Sequence, residues 1–177
     1  MVGGLTGILI YMPITFTNLY VTKHLGMSSS FGFYLTFISS IVYIIIMPIV
    51  GFFSDNIKIS KLMRNAVLLV ALMIIPVYYL LVEGYLVAFQ IVSTVLTTIC
   101  NANIHVYMKE LFPVGMRGRA ISLGFSLGIS IIGGTIHLAF MLISYTNNIY
   151  SPAIYIAVIA SITYIALSLT SKIAKQT

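Results

Sequence analysis

Charge is what this sequence most lacks. Only 7% of its 177 residues are Asp, Glu, Lys or Arg, against about 25% in a soluble domain. So few ionised groups cannot cover a water-facing surface. That excludes an ordinary soluble chain and points to hydrocarbon as the main solvent. Acids are scarcest: Asp55, Glu83 and Glu110 are the whole set. Trp is absent, so anchoring at the membrane interface falls to the twelve Tyr and ten Phe. A single cysteine, Cys100, excludes an intrachain disulfide and sits in an apolar run as a small core residue. No basic n-region precedes the first apolar run, since the first Lys or Arg is Lys23, and no cleavage motif follows it. The run is therefore a retained helix rather than a signal peptide. A bundle that begins directly in hydrocarbon, with no polar leader, reads as a chain cut at its front.

What is present is hydrophobic length, with 60% of residues apolar. A helix needs about 20 apolar residues to cross the bilayer core. Six runs meet this, at about 2–22, 32–53, 62–82, 85–107, 119–143 and 152–171. Their loops are short and leave no room for a soluble domain. None alternates like a barrel strand, and backbone amides in lipid need partners within their own segment, so the runs are expected to be helices. The expected fold class is an all-α membrane protein, a single bundle of six transmembrane helices over residues 1–177. The net charge of +6 would point to nucleic acid in a soluble protein. Here the bases stand in short clusters between apolar runs, so no nucleic-acid partner is expected. With the N-terminus cytoplasmic, Lys58, Lys61, Arg64, Lys109, Arg117, Arg119, Lys172 and Lys175 all lie inside and only Lys23 outside. The opposite topology reverses that bias, so both termini are expected in the cytoplasm of a multi-pass protein of the cell (inner) membrane.

Pro13, Pro48 and Pro76 fall inside the first three runs and are expected to kink them. Two polar stripes cross the apolar background. Tyr11, Thr15, Asn18 and Thr22 recur at helical spacing on the first run; Gln90, Thr94, Thr97, Asn101 and His105 do so on the fourth. Polar groups facing lipid would lose their hydrogen-bond partners, so each stripe is expected to line a wet cavity or a helix interface. Tyr11, Thr15, Asn18, Gln90, Thr94, Thr97 and Asn101 are the cavity candidates. The fifth run carries small faces, Gly124 and Gly128 beside Ser122, Ser126 and Ser130, followed by Gly133 and Gly134; these are packing surfaces. His105 and His137 are the candidates for carrying a proton. All three acids fall at expected helix ends or loops. A charge at the bilayer centre costs about 2.5–3.5 kcal/mol on insertion scales, and this chain keeps no carboxylate there. No nucleophile–base pair, metal-ligand cluster or phosphate loop is visible, so neither an enzyme, a cofactor nor a metal is expected.

Two loops carry a resemblance. The first reads Gly51-Phe-Phe-Ser-Asp55-Asn-Ile-Lys58-Ile-Ser-Lys61, a Gly, an Asp four residues on, then bases. It resembles the loop motif of the major facilitator superfamily. The second reads Glu110-Leu-Phe-Pro113-Val-Gly-Met-Arg117, followed by Ser122, Gly128 and the Gly133–Gly134 pair. It is similar to the metabolite–proton symporter branch, which includes proline/betaine and dicarboxylate carriers. The likeness spans essentially the whole chain and matches the C-terminal six-helix half of the twelve-helix fold.

The resemblance implies cation-coupled uptake of a small polar solute by alternating access. In that fold two halves rock about a midplane site, so a separate N-terminal half or a second copy is needed as partner, alongside lipid, solute and proton. It also implies that Gly51 permits a tight helix end and Asp55 is the gate carboxylate. Glu110 and Arg117 belong to a charge cluster at the inner gate, together with Lys61 and Arg64. Asp55 with Arg117, and Glu110 with Lys61 or Arg64, are the expected pairs. The usual Arg after the loop Asp is here Asn56, the usual second Gly is Lys58, a common Arg is Gly115 and a frequent Asn is Ser126; fewer gate charges imply a weakened switch. Three functions stay open: a half-transporter, an inactive remnant of a split transporter gene, and a structural membrane-assembly protein. Neutral stripes suit a zwitterion or a polyol, and without a membrane-centred Arg or Lys they favour an osmolyte such as proline or betaine over a dicarboxylate.

Overall fold

Inside lipid no water pairs with a backbone amide, so a helix, which bonds its own carbonyls, is the economical solution. The computed structural model describes residues 1–54, 57–112 and 114–173, with side chains throughout except at 136, 137, 139, 140, 144 and 170–173. Among the described residues all regular structure is helical. The helices are α1 (Val2–His24), α2 (Ser29–Ser54), α3 (Ile59–Val82), α4 (Leu86–Leu111), α5 (Arg117–Ile131), α6 (Ile136–Thr146) and α7 (Ser151–Ile173). Five of them, α1 to α4 and α7, are long and apolar enough to cross a membrane.

The expected continuous run over 119–143 is broken. Residues 15 and 11 long, α5 and α6 are joined through a 3₁₀ turn at Gly133–Thr135. Two successive glycines are poor helix formers, and the Thr135 hydroxyl engages the Ile132 carbonyl at 2.5 Å and the Tyr155 hydroxyl of α7. Each half alone is too short to span the bilayer core.

The other ends follow local chemistry. At the end of α3, Gly84 takes φ +84°. Its N–H donates to the Leu81 carbonyl at 3.2 Å and that of Tyr85 to the Leu80 carbonyl at 2.9 Å. This pair of bonds satisfies carbonyls the helix would otherwise orphan. Asn147 ends α6 in the left-handed region at φ 48°, a conformation Asn tolerates better than most residues.

At the centre of the bundle stand α1 and α4; α2 is the most exposed span, with 11% of its apolar window buried against 61% for α1. Its outward Phe33, Phe37, Ile44, Phe52 and Phe53 are unremarkable where the solvent is lipid. Against α4 pack α2 and α3, and α3 also packs against α7. The approach of α5 to α1 is set by glycine: a Cβ on Gly128 would lie 2.8 Å from the Gly4 nitrogen, and one on Gly133 would lie 3.1 Å from the Gly7 Cα. Without side chains at these points the two backbones touch directly, the usual route to close contact in a membrane. One end of the bundle is closed by rings. Tyr78 lies 6.1 Å from Phe16, 6.3 Å from Phe89 and 6.1 Å from Tyr150, joining α1, α3, α4 and the start of α7.

A cavity between three helices as candidate functional site

Between α1, α2 and α4 lies a cavity of about 340 Å³. It opens near the middle of all three helices. Ile10, Pro13 and Ile14 line it from α1; Ser39, Ser40, Tyr43 and Ile44 from α2; Thr94, Thr97 and Asn101 from α4. Its walls are mainly apolar, with a few neutral hydroxyl and amide groups, the usual make-up of a small-molecule site.

Two hydrogen-bonded clusters frame it. In the first, Gln90 Nε2 donates to the Pro13 carbonyl at 2.6 Å and to Ser39 Oγ at 2.5 Å, and Thr94 Oγ1 donates to Ser39 Oγ at 3.0 Å. Gln90 is fully buried, and its Oε1 has no partner. In the second, Asn101 Nδ2 donates to the Tyr43 hydroxyl at 2.6 Å, tying α4 to α2. Between them, Thr97 Oγ1 lies 2.9 Å from the Leu9 carbonyl of α1.

Of the cavity candidates, Thr94, Thr97 and Asn101 line the space and Gln90 stands behind its wall. Tyr11, Thr15 and Asn18 are not among the lining residues. Asn18 instead fits against Gly32, where a Cβ would meet its carboxamide at 3.0 Å. From α1 the cavity meets the face of Ile10, Pro13 and Ile14, and between Tyr11 and Asn18 the helix carries a π-helical turn at Met12–Phe16. A π-turn bonds five residues back, so the helix advances by fewer degrees per residue and a stripe drawn at 3.6 residues per turn drifts off its face. Sequence reasoning passed over Ser39, Ser40 and Tyr43. Thr36, Ser39 and Tyr43 do recur at i, i+3 and i+7, a readable signal in so apolar a run.

The charged candidates are dispersed. Asp55 lies outside the described residues, and so does the His137 side chain. Lys61 and Glu110 are exposed and Arg64 is half-buried; among the described residues no ion pair joins Glu110 to Lys61 or Arg64. Arg117 donates from Nε to the Phe112 carbonyl at 2.9 Å. A Cβ on Gly51 would meet nothing within 4 Å. His105 is exposed, its ring 5.0 Å from that of Phe125 on α5. Among the described residues no cluster of three or more His, Cys, Asp or Glu could hold a metal ion.

No family model and no solved structure matches the chain. Curated relatives do. A glycine betaine/proline/ectoine/pipecolic acid transporter of Dickeya dadantii is 25% identical over 160 residues, 89% of this chain and 32% of its own length. A proline/betaine transporter of Escherichia coli K12 is 23% identical over 88% of this chain and 32% of its own. An ectoine/proline transporter of Corynebacterium glutamicum is 25% identical over 89% of this chain and 31% of its own. The chain spans about a third of the length of these relatives. It is a multi-pass membrane protein similar, over nearly its whole length, to proline/betaine transporters.

Proposed function

We propose that this chain is the C-terminal six-helix half of a secondary transporter for a small zwitterionic osmolyte, with α5 and α6 together forming one broken crossing and both termini in the cytoplasm. The observation that carries the reading is the cavity near the middle of α1, α2 and α4. It offers hydroxyl and amide groups and no fixed charge, in helices whose surroundings are lipid. A zwitterion has no net charge to neutralise, so neutral donors and acceptors suffice. The relatives' solutes (proline, betaine, ectoine) are of this class.

Coupling to a proton needs a group that titrates near the site. Glu83 caps α3, Glu110 is the penultimate residue of α4, and Asp55 follows α2 in sequence. The coupling acid therefore belongs to a second half, which also completes the cavity, with His105 and His137 as this chain's own titratable candidates. Asp55, Lys61, Arg64, Glu110 and Arg117 form the inner gate in this reading, so Asp55→Asn raises labelling of a cysteine placed at Ile10 from the cytoplasmic side.

Uptake of labelled proline and betaine into proteoliposomes under an imposed pH gradient tests the proposal, with this chain alone and with a six-helix first half of one of its relatives. Solute accumulation in the paired sample, lost in Asn101→Leu, is the expected result. No gradient-dependent uptake in either sample, together with no change in thermal midpoint at millimolar proline or betaine, would sink it.

A further inference from the structure

Pro13 sits inside α1 and has no N–H. The ordinary bond from residue 13 to the Leu9 carbonyl therefore cannot form. A second carbonyl loses its ordinary donor nearby. In a regular helix the Thr17 N–H would serve Pro13; at the π-turn it serves Met12 instead. Leu9 and Pro13 are thus two carbonyls whose i+4 donors the interruption of α1 removes or redirects, and in a buried, lipid-surrounded helix such acceptors are costly to leave unpaired.

Both are met from α4. Thr97 Oγ1 stands 2.9 Å from the Leu9 carbonyl, and Gln90 Nε2 stands 2.6 Å from the Pro13 carbonyl. We infer that Thr97 and Gln90 are positioning residues: they replace the two backbone donors that α1 loses at Pro13 and so hold the interrupted helix, and with it one wall of the cavity, against α4.

The alternative acceptor of Thr97 is the Ser93 carbonyl, also at 2.9 Å. That carbonyl faces the Thr97 N–H of its own continuous helix. Leu9 lacks its i+4 donor because residue 13 is proline, so the single hydroxyl proton gains more by pointing at α1. The Gln90 amide has only one orientation that suits its surroundings. Reversing it would set Oε1 against the Pro13 carbonyl, oxygen to oxygen. The orientation observed leaves Oε1 unpartnered in a fully buried side chain, an expense understandable only if the other end of the amide is needed where it is. Four residues before Thr97, Ser93 bonds only within α4, so bridging to α1 is not a general habit of this helix.

A double-mutant cycle in detergent tests the brace. Thr97→Val removes the hydroxyl and keeps the shape; Pro13→Ala returns an N–H to residue 13, which can then serve Leu9. In the parent, Thr97→Val lowers the thermal midpoint by about 2–4 °C, as loss of one buried hydrogen bond does; in the Pro13→Ala background the same change lowers it by less than half as much. Equal losses in both backgrounds assign Thr97 to packing and overturn the inference. Hydrogen–deuterium exchange over residues 10–18 gives a second measure should Pro13→Ala not fold. Thr97→Val and Gln90→Leu each speed exchange there by several-fold while Thr97→Ser does not; unchanged exchange, or Ser behaving as Val, overturns it equally. Neither measurement uses a solute, so the brace and the transport reading fail separately.

Discussion

Asn101 and Tyr43 show how much a single group carries in a cavity with so few polar atoms. Their bond, 2.6 Å long, links α4 to α2 across the space. Tyr43→Phe deletes the hydroxyl and leaves the ring in place. The expected cost is about 0.5–1.5 kcal/mol, read as a lower thermal midpoint, with a raised KM in the uptake assay. A solute that bonds Asn101 in place of Tyr43 would instead bind Tyr43→Phe more tightly. A drop in KM therefore assigns Asn101 to the solute and the hydroxyl to a latch that competes for it. Thr97 and Gln90 lie on the same stripe yet serve the backbone of α1. Spacing identified the polar face of α4; it could not say whether a hydroxyl on that face meets a solute or a carbonyl.

At the level of elements, the contact of α1 with α5 is the most exacting. Gly128 approaches the α1 backbone too closely for a Cβ unless something shifts and Gly133 leaves one only a tight fit, whereas a Cβ on Gly134 would meet nothing within 4 Å. Gly128→Val should therefore cost about 1–3 kcal/mol through overpacking, while Gly134→Ala stays within about 0.5 kcal/mol of the parent. Thermal unfolding of the two variants in one detergent checks this; similar losses would mean that the glycines matter for the break between α5 and α6 and not for the contact. The small-residue face of this segment was readable from Gly124 and Gly128. That the face ends in a helix break at Gly133–Thr135 was not, because Ile131, Ile132 and Ile136 flank the glycine pair and hydropathy alone reads one crossing through it.

Across the whole molecule the decisive quantity is which side of the membrane each loop occupies. With Cys100→Ala as background, single cysteines at Ser60 and Gly115 should react with an impermeant thiol reagent only from the cytoplasmic side, and one at Asn148 only from outside. Labelling of residue 60 or 115 from outside would reverse the topology and remove the inner gate. The same bundle leaves α2 the least covered of its spans, which suits a chain that spans about a third of its relatives' length. Co-purification with a first half of such a relative, reduced by a charged substitution at Phe37 or Ile44, is the expected mark of a second half seated there; unchanged recovery would leave α2 facing lipid.

The sequence alone determined the solvent and the class of structure. Few ionised groups and long apolar runs without strand alternation leave helices in a bilayer as the arrangement that pairs every backbone amide, and two short loop motifs carried a resemblance to transporters. It also marked α4 as the polar helix. Only tertiary structure decided which residues share a cavity. That depended on which face of α1 meets the cavity, the one carrying Ile10, Pro13 and Ile14 and not Tyr11, Thr15 and Asn18, and on Ser39 and Tyr43 arriving from a helix that reads as mostly apolar. Helical periodicity is a property of one segment, while a site between three helices is set by where their axes cross and where one of them slips by a residue.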